Sequence, residues 1–386
     1  MAITARFGVE PFPFGVTGPE GYRAAAVRVV RAGADSLSYA LAWDEFETAE
    51  GVYATTILGW LAGGRGSAKF QVTIAVLDYT GAKNLPAYLV GEALDSAAVM
   101  TGFHGVIDAL HTLLGDTGLD ILVLGNEVEN YLSTHAAEIT PFANLIGDAE
   151  TYAQAKSGWS SVQVTASFRH DTPNVAVTYA AIIAASTKPA FTYYPINNVT
   201  YAVNDTDPDT IGTTMFNDLL ALPTAVGSTV ILTEMGFPSH VDLGSSAALQ
   251  AAFYGNACGV VQAIADFDGI YSAQYQWLTE WPDWLLDLLG FTGNARKFVG
   301  TLGLVDVNNR EKPAWDLLVA AMGGTTRAFS SDGPTRMAEY LRDYYNAEGG
   351  DATTHLSKYL ARFSTGEMTA RFKAVQASAL EETESP

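Results

Sequence analysis

The sequence predicts an α/β protein in which eight strands close into a (β/α)8 barrel, the TIM-barrel architecture, with a short helical extension at the C-terminus. Three observations carry that expectation. Short apolar runs alternate with amphipathic stretches of helical length from the first residues to about residue 320. Several runs are near-continuous β-branched and aliphatic segments, as in strands buried on both faces. Their count is eight, which favours closure over an open doubly wound sheet. An open sheet would normally carry a G-x-G-x-x-G turn after its first strand, and the segment FGVEPFPFGVTG has none.

In chain order the expected strands are 5–10, 35–41, 69–77, 119–126, 162–168, 190–196, 229–235 and 270–277. Between them lie periodic segments such as 95–115 and 245–266; in the latter, Ala248, Ala251, Ala252 and Val260 fit one helical face. After Ala321 the texture changes. A Gly/Ser/Thr-rich linker leads to two amphipathic stretches, RMAEYLRDYYNAEGG and HLSKYLARFSTGEMTARFKAVQAS. The expected division is a barrel over 1–324 and a linker with helical extension over 325–386. The extension holds 7 of the 21 basic and 9 of the 42 acidic residues, so the acidity belongs to the barrel. Its helices are expected to serve packing or self-association.

Composition narrows the partners. Of 386 residues, 48% are apolar and 16% charged, enough for a large core. A formal charge of −21 repels phosphate backbones and anionic lipid, so neither nucleic acid nor a membrane surface is an expected partner. A single cysteine, Cys258, rules out an internal disulfide framework. No apolar run reaches the roughly 18 residues that span a bilayer. The amino terminus lacks a basic start followed by an apolar stretch, so a secretory leader is expected to be absent or already removed; the compartment stays open.

In a barrel, chemistry gathers at the carboxyl ends of the strands. Those ends offer Glu10 and Phe12, Trp43, Asp78 and Tyr79, Asn126 and Glu127, Arg169, His170 and Asp171, Tyr193 and Tyr194, Glu234, then Gln276, Trp277 and Glu280. The set is rich in carboxylates and aromatics. Two glutamates end strands that are otherwise apolar, Glu127 in ILVLGNE and Glu234 in VILTEMGFPS, 107 residues apart. Three β/α steps fit that interval, placing the pair on strands 4 and 7 across the barrel mouth. Such a pair can flank a sugar ring. Retaining glycosidases need two carboxyl groups about 5–5.5 Å apart, one attacking the anomeric carbon while the other gives up and later recovers a proton. Burial raises a carboxyl pKa, as a general acid at neutral pH requires. Asn126 is placed to meet the substrate 2-hydroxyl. Trp43 and Trp277 are expected as stacking platforms for the sugar, with Trp281 and Trp284 as further candidates for the same role. Tyr193 or Tyr194, according to register, would donate to the nucleophile. His170 and Asp78 are expected as polar contacts at the mouth, and Glu129, past strand 4, as a solvated or supporting residue.

At these residues the chain resembles glycoside hydrolases of clan A, closest in flavour to endo-galactanase-like bacterial families. The resemblance covers about 5–320. WDEFETAEGVY is similar to the W-x-x-x-E-x-x-x-G-x-Y turn after strand 2, LGNEVENYL to the strand-4 Asn-Glu signature, ILTEMGFPS to the strand-7 nucleophile segment, and FVGTLGLVDVNNREKPAWDLL to the closing segment. It implies Glu127 as acid/base, Glu234 as nucleophile, Asn126 as the 2-hydroxyl contact, and no cofactor. The chain departs from the pattern at strand 2, where SLSYALAW lacks an Arg that many members use to hold the nucleophile; Arg6 and Arg169 are the expected substitutes.

Other chemistries on this fold fit less well. A Schiff-base aldolase needs a lysine at a strand end, and Lys69 and Lys188 sit at strand starts. Asp171 is the best offer toward an enolase-type metal set, and the six histidines show no H-x-H or H-E-x-x-H spacing, so no metal is expected. The competing reading is a catalytically inactive barrel that binds glycan or serves assembly.

Overall fold

A computed structural model describes residues 5–11, 18–267 and 269–323. The barrel strands are β1 (Arg6–Val9), β2 (Ser36–Ala42), β3 (Lys69–Leu77), β4 (Leu119–Gly125), β5 in two pieces (Gln163–Thr165 and Ser167–Arg169), β6 (Ala190–Tyr193), β7 (Val230–Met235) and β8 (Ile270–Tyr275). All pair in parallel. The first piece of β5 pairs with β4 and the second with β6, while β1 pairs with both β8 and β2, so the ring closes through the interrupted fifth strand. All eight expected strands are present. The sixth and eighth end earlier than expected, at Tyr193 and Tyr275, where the chain turns into the mouth.

Among the described residues one main helix follows each strand, besides shorter ones: α1 (Pro19–Arg31), α2 (Thr56–Ala62), α3 (Ala97–Leu114), α4 (Ile139–Gln154), α5 (Ala180–Ala185), α6 (Ile211–Val226), α7 (Ala247–Ala265) and α8 (Pro313–Ala321). Their ends are chemically marked. Ser96 caps α3 by accepting the amide of Val99 at 3.3 Å, and Ser246 caps α7 through Leu249 at 3.1 Å. Pro313 opens α8, where its missing N–H costs nothing. Helix α3 is apolar and 18 residues long, yet His104 and Asp108 bond Asp148 and Tyr152 of α4, as befits a barrel helix.

The face expected for α7 is a correction. Of Ala248, Ala251, Ala252 and Val260 only Ala251 is buried; Phe253, Tyr254, Ala257, Val261 and Ile264 set the packed face. Alanines fit either side of a helix, so the bulky residues decide orientation. The main core lies between the strands and the helix ring, with Phe70, Phe103, Phe142 and Phe191 fully enclosed. Inside the barrel a smaller plug of Ile121, Val123, Ala190 and Ile231 floors the mouth. Phe12 and the extension expected over 325–386, with its proposed self-association, lie outside the described residues.

Candidate active site

The mouth opens on a cavity of about 510 Å³ lined by Glu10, Asn126, Glu127, Tyr194, Glu234 and Trp277 among others. Chain geometry at the end of β4 aims the acidic pair. Asn126 continues the ladder by donating its amide to Leu77 O, and Glu127 then turns sharply with φ 51°, a left-handed conformation that costs a non-glycine residue about 1–3 kcal/mol. The turn is pinned by Ser167: its hydroxyl accepts the Glu127 amide at 3.4 Å, and its carbonyl accepts the Val128 amide at 3.1 Å. The Ser167 hydroxyl donates to Asn126 Oδ1 at 2.9 Å, which fixes the amide so that Nδ2 donates to Glu234 Oε1 at 3.0 Å.

Glu234 is thus held by two donors, Asn126 on one oxygen and the Tyr194 hydroxyl on the other at 2.8 Å. Glu127 accepts a single side-chain bond, from Thr192 at 2.8 Å. The electrostatics follow. Burial raises the Glu127 carboxyl to about 8, helped by the negative charges of Glu234 and Glu129 and opposed by Thr192 and Arg169. Burial raises Glu234 too, but Tyr194 and Asn126 pull it back. With two carboxyls in one cavity, the first proton leaves the one with the better donors. Glu234 ionises and Glu127 keeps its proton.

A third carboxyl shares the cavity. Glu10 accepts Trp277 Nε1 at 2.7 Å, and burial with the charge of Glu234 raises it to about 8. The sequence placed Glu10 at a strand end without assigning it a role; only closure of β1 against β8 brings it beside Trp277. Thr192 and Ser167 were missed altogether, since one hydroxyl in a strand looks like any other.

Of the expected aromatics, Trp277 lines the cavity and stacks on Trp281, ring centroids 4.2 Å apart. Trp281 lines it as well, while Trp284 is 60% exposed on a surface helix. Three expectations are corrected. Trp43 is fully buried behind β2, packed edge-on against Phe103 and donating Nε1 to Glu47 at 2.9 Å. Glu47 also accepts the Gly51 amide and the Tyr88 hydroxyl, so the W-x-x-x-E-x-x-x-G-x-Y segment is a staple for the turn after β2 and lies away from the cavity. Tyr193 points outward to Asp218 of α6, hydroxyl to Oδ2 at 3.0 Å; its neighbour Tyr194, of opposite strand parity, faces inward. Asp78 does not line the cavity; its carboxylate organises its own loop through Thr80, Ala82 and Asn84.

His170 does line the cavity, edge-on to Tyr193, and burial lowers its pKa, leaving a neutral imidazole. Glu129 is buried and not solvated; it accepts the Arg169 amide at 3.1 Å and forms an ion pair with the Arg169 guanidinium at 3.1 Å. Neither expected arginine reaches Glu234. Arg169 is taken by Glu129, and Arg6 lies at the opposite end of the barrel, paired with Asp120. Tyr194 and Asn126 fill the place left by the absent strand-2 arginine. Among the described residues no cluster of His, Cys, Asp and Glu fits a metal ion.

No protein-family model matches the chain, and no curated protein matches it. Solved structures do. A GH5_18 protein from Bifidobacterium longum superposes with a TM-score of 0.63 at 14% identity, covering 85% of this chain and 81% of that one. A substituted GH5_18 protein from Streptomyces cattleya, in complex with Manb1-4GlcNAc, gives 0.62 at 15% identity over 85% and 82%. An exo-beta-1,4-mannosidase from an Opitutaceae bacterium gives 0.59 at 14% identity over 90% and 68%. At these identities the likeness establishes the architecture: the chain is a (β/α)8 barrel of the form that these glycoside hydrolases share.

Proposed function

We propose that the protein is a retaining glycoside hydrolase acting on a β-linked oligo- or polysaccharide. The observation that carries the reading is the asymmetry of the pair: two donors hold Glu234 ionised, while burial keeps Glu127 protonated. In the first step Glu234 attacks the anomeric carbon as Glu127 hands its proton to the departing glycosidic oxygen, leaving a glycosyl ester on Glu234. Glu127, now anionic, takes a proton from water; the hydroxide oxygen bonds to the anomeric carbon, the ester bond breaks, and both carboxyls return to their starting states. Asn126, bonded to Glu234, would meet the 2-hydroxyl, and Trp277 would carry the ring.

The structural neighbours suggest where to start. One binds a β-1,4-linked mannosyl disaccharide and another is named a β-1,4-mannosidase, so β-mannosides head the panel. None of the three is named a galactanase, and the galactan flavour of the sequence gains no support from them. The decisive experiment treats aryl β-glycosides with Glu127→Ala and Glu234→Ala in the presence of azide. Glu127→Ala should yield the β-glycosyl azide, because the ester still forms and azide needs no general base. Glu234→Ala should yield the α-azide. Equal inertness of wild type and both variants across the panel would favour the glycan-binding reading instead.

A further inference from the structure

The hydrolase reading uses two of the four carboxyls that line the cavity; a third, Asp171, is exposed and pairs with Arg169 at 3.7 Å, which leaves Glu10. Glu10 sits where β1 meets β8: its amide donates to Tyr275 O at 3.1 Å and its carbonyl accepts Leu278 N at 3.0 Å, so its backbone belongs to the barrel wall. The carboxyl is fixed by Trp277 Nε1 at 2.7 Å, with the Gln276 side chain beside it. No basic side chain bonds it among the described residues, which is an unusual way to hold a buried acid unless a ligand completes its bonding. Two neighbours on the same cavity wall share the deficit. Ser38 Oγ and Gln276 Oε1 are both buried, and neither has a hydrogen-bond partner among the described residues. An acid, a hydroxyl and an amide carbonyl together suit a ligand face that offers hydroxyl donors. They suit neither a cation, which would need the acid ionised beside Glu234, nor an apolar group, which would leave all three unsatisfied.

We propose that Glu10, backed by Ser38 and Gln276, is the specificity-determining residue of the site, exchanging hydrogen bonds with hydroxyl groups on the sugar ring remote from the scissile bond. This rests on the hydrolase reading for which ring is bound, and it adds which of its hydroxyls are inspected. Position supports it. Glu127 and Glu234 come from strands 4 and 7 and Asn126 flanks Glu234, so they serve the anomeric end; Glu10 comes from strand 1, on the arc between β8 and β2. Trp277 joins the two functions, presenting its ring to the cavity while its Nε1 orients Glu10. A site that hydrogen-bonds a hydroxyl through buried polar groups rejects the analogue lacking it far more strongly than an apolar pocket rejects a missing methylene.

The test measures kcat/KM of wild type, Glu10→Ala and Glu10→Gln on 4-nitrophenyl β-mannoside, or on the gluco or galacto epimer if that is turned over faster, and on its 3-, 4- and 6-deoxy analogues. In wild type at least one analogue should be about 10- to 100-fold poorer than the parent. In Glu10→Ala that penalty should shrink to about 3-fold or less, while the other analogues keep theirs. Glu10→Gln, whose amide preserves the shape and can exchange similar bonds, should retain the wild-type pattern and fold at least as stably. A uniform fall on parent and analogues alike, or an unchanged deoxy pattern in Glu10→Ala, overturns the proposal. Calorimetric titration with β-1,4-mannobiose and its gluco and galacto counterparts separates the two readings. Binding that weakens at least 10-fold in Glu10→Ala, without turnover by wild type, sinks the hydrolase and keeps Glu10; no binding of any disaccharide sinks both.

Discussion

The two ends of the barrel treat charge in opposite ways. At the base, Asp120 is buried among partners: Arg6 pairs with it, Lys69 stands 3.9 Å away, and the Tyr271 hydroxyl donates to it at 3.1 Å, with Lys188 over the Tyr271 ring. At the mouth, Glu10, Glu127 and Glu234 share a cavity with no cation bonded to any of them among the described residues, and Arg169, which lines the same cavity, is engaged by Glu129. Base charge is neutralised by opposite charge, mouth charge by withholding ionisation. The first arrangement holds strands together. The second stores a proton on Glu127 beside an anion on Glu234 and is a poor way to gain stability.

The largest effect should separate the ends cleanly. Glu234→Gln should abolish turnover of the best aryl glycoside by at least about 10³-fold, since no group remains to form the ester, while melting temperature holds or rises because a buried acid is gone. Asp120→Ala should do the reverse. It leaves Arg6 and Lys69 without their anion at a cost of about 2 kcal/mol, less than for a fully buried pair because both cations can turn to water. Activity per folded molecule should stay near wild type. A stable but inactive Asp120→Ala would show the ends to be coupled.

Next comes the hydroxyl that bonds the proposed nucleophile, Glu234. Tyr194→Phe removes a charge-assisted bond worth about 1.5–3 kcal/mol, so kcat/KM should fall about 10- to 100-fold. Because that bond lowers the Glu234 pKa, its loss raises it, and the acidic limb of the pH–activity profile should move to higher pH. A fall in activity with an unmoved limb would mean that Tyr194 acts on substrate only.

The contrast also has a pH signature in stability. Glu10 and Glu127 are raised to about 8 in the folded chain, and the unfolded chain ionises them near 4.5. Between those values the folded state binds more protons, so stability contributed by these groups is full below about pH 4.5 and declines as pH rises toward 8. Glu127→Gln should therefore be more stable than wild type at pH 8 and indistinguishable from it at pH 4. Equal melting temperatures at both pH values would mean that the mouth carboxyls titrate normally.

How far the sequence reached depended on what kind of position a residue held. The strands were visible because a run such as KFQVTIAVL can hardly be anything else when eight of its nine residues are buried. Glu127 and Glu234 were visible because an acid closing an apolar strand has few structural excuses. Side-chain direction was not visible. Tyr193 and Tyr194 are chemically identical neighbours, and only the register of β6 sends one to Asp218 and the other to Glu234. Glu10 needed closure of the ring, which brings residues 267 positions apart into one hydrogen bond.

Trp43 is the sharpest lesson and yields the smallest prediction. It follows a strand directly, as Trp277 nearly does, and both indole nitrogens donate to a glutamate, Glu47 in one case and Glu10 in the other. Yet Trp277 faces the cavity while Trp43 is enclosed beside Phe103, because the chain turns into a short helix at Trp43–Phe46 and carries the ring behind β2. Trp43→Phe keeps an aromatic ring beside Phe103 but leaves a small void and deprives buried Glu47 of one donor, with Gly51 N and the Tyr88 hydroxyl still in place. The cost should be about 1–2 kcal/mol of stability with KM unchanged. Trp277→Phe should reverse the pattern: it raises KM and, by freeing Glu10, relaxes discrimination among the deoxy analogues with little change in melting temperature. If Trp43→Phe altered KM and left stability alone, the turn after β2 would have to be counted as part of the proposed sugar site after all.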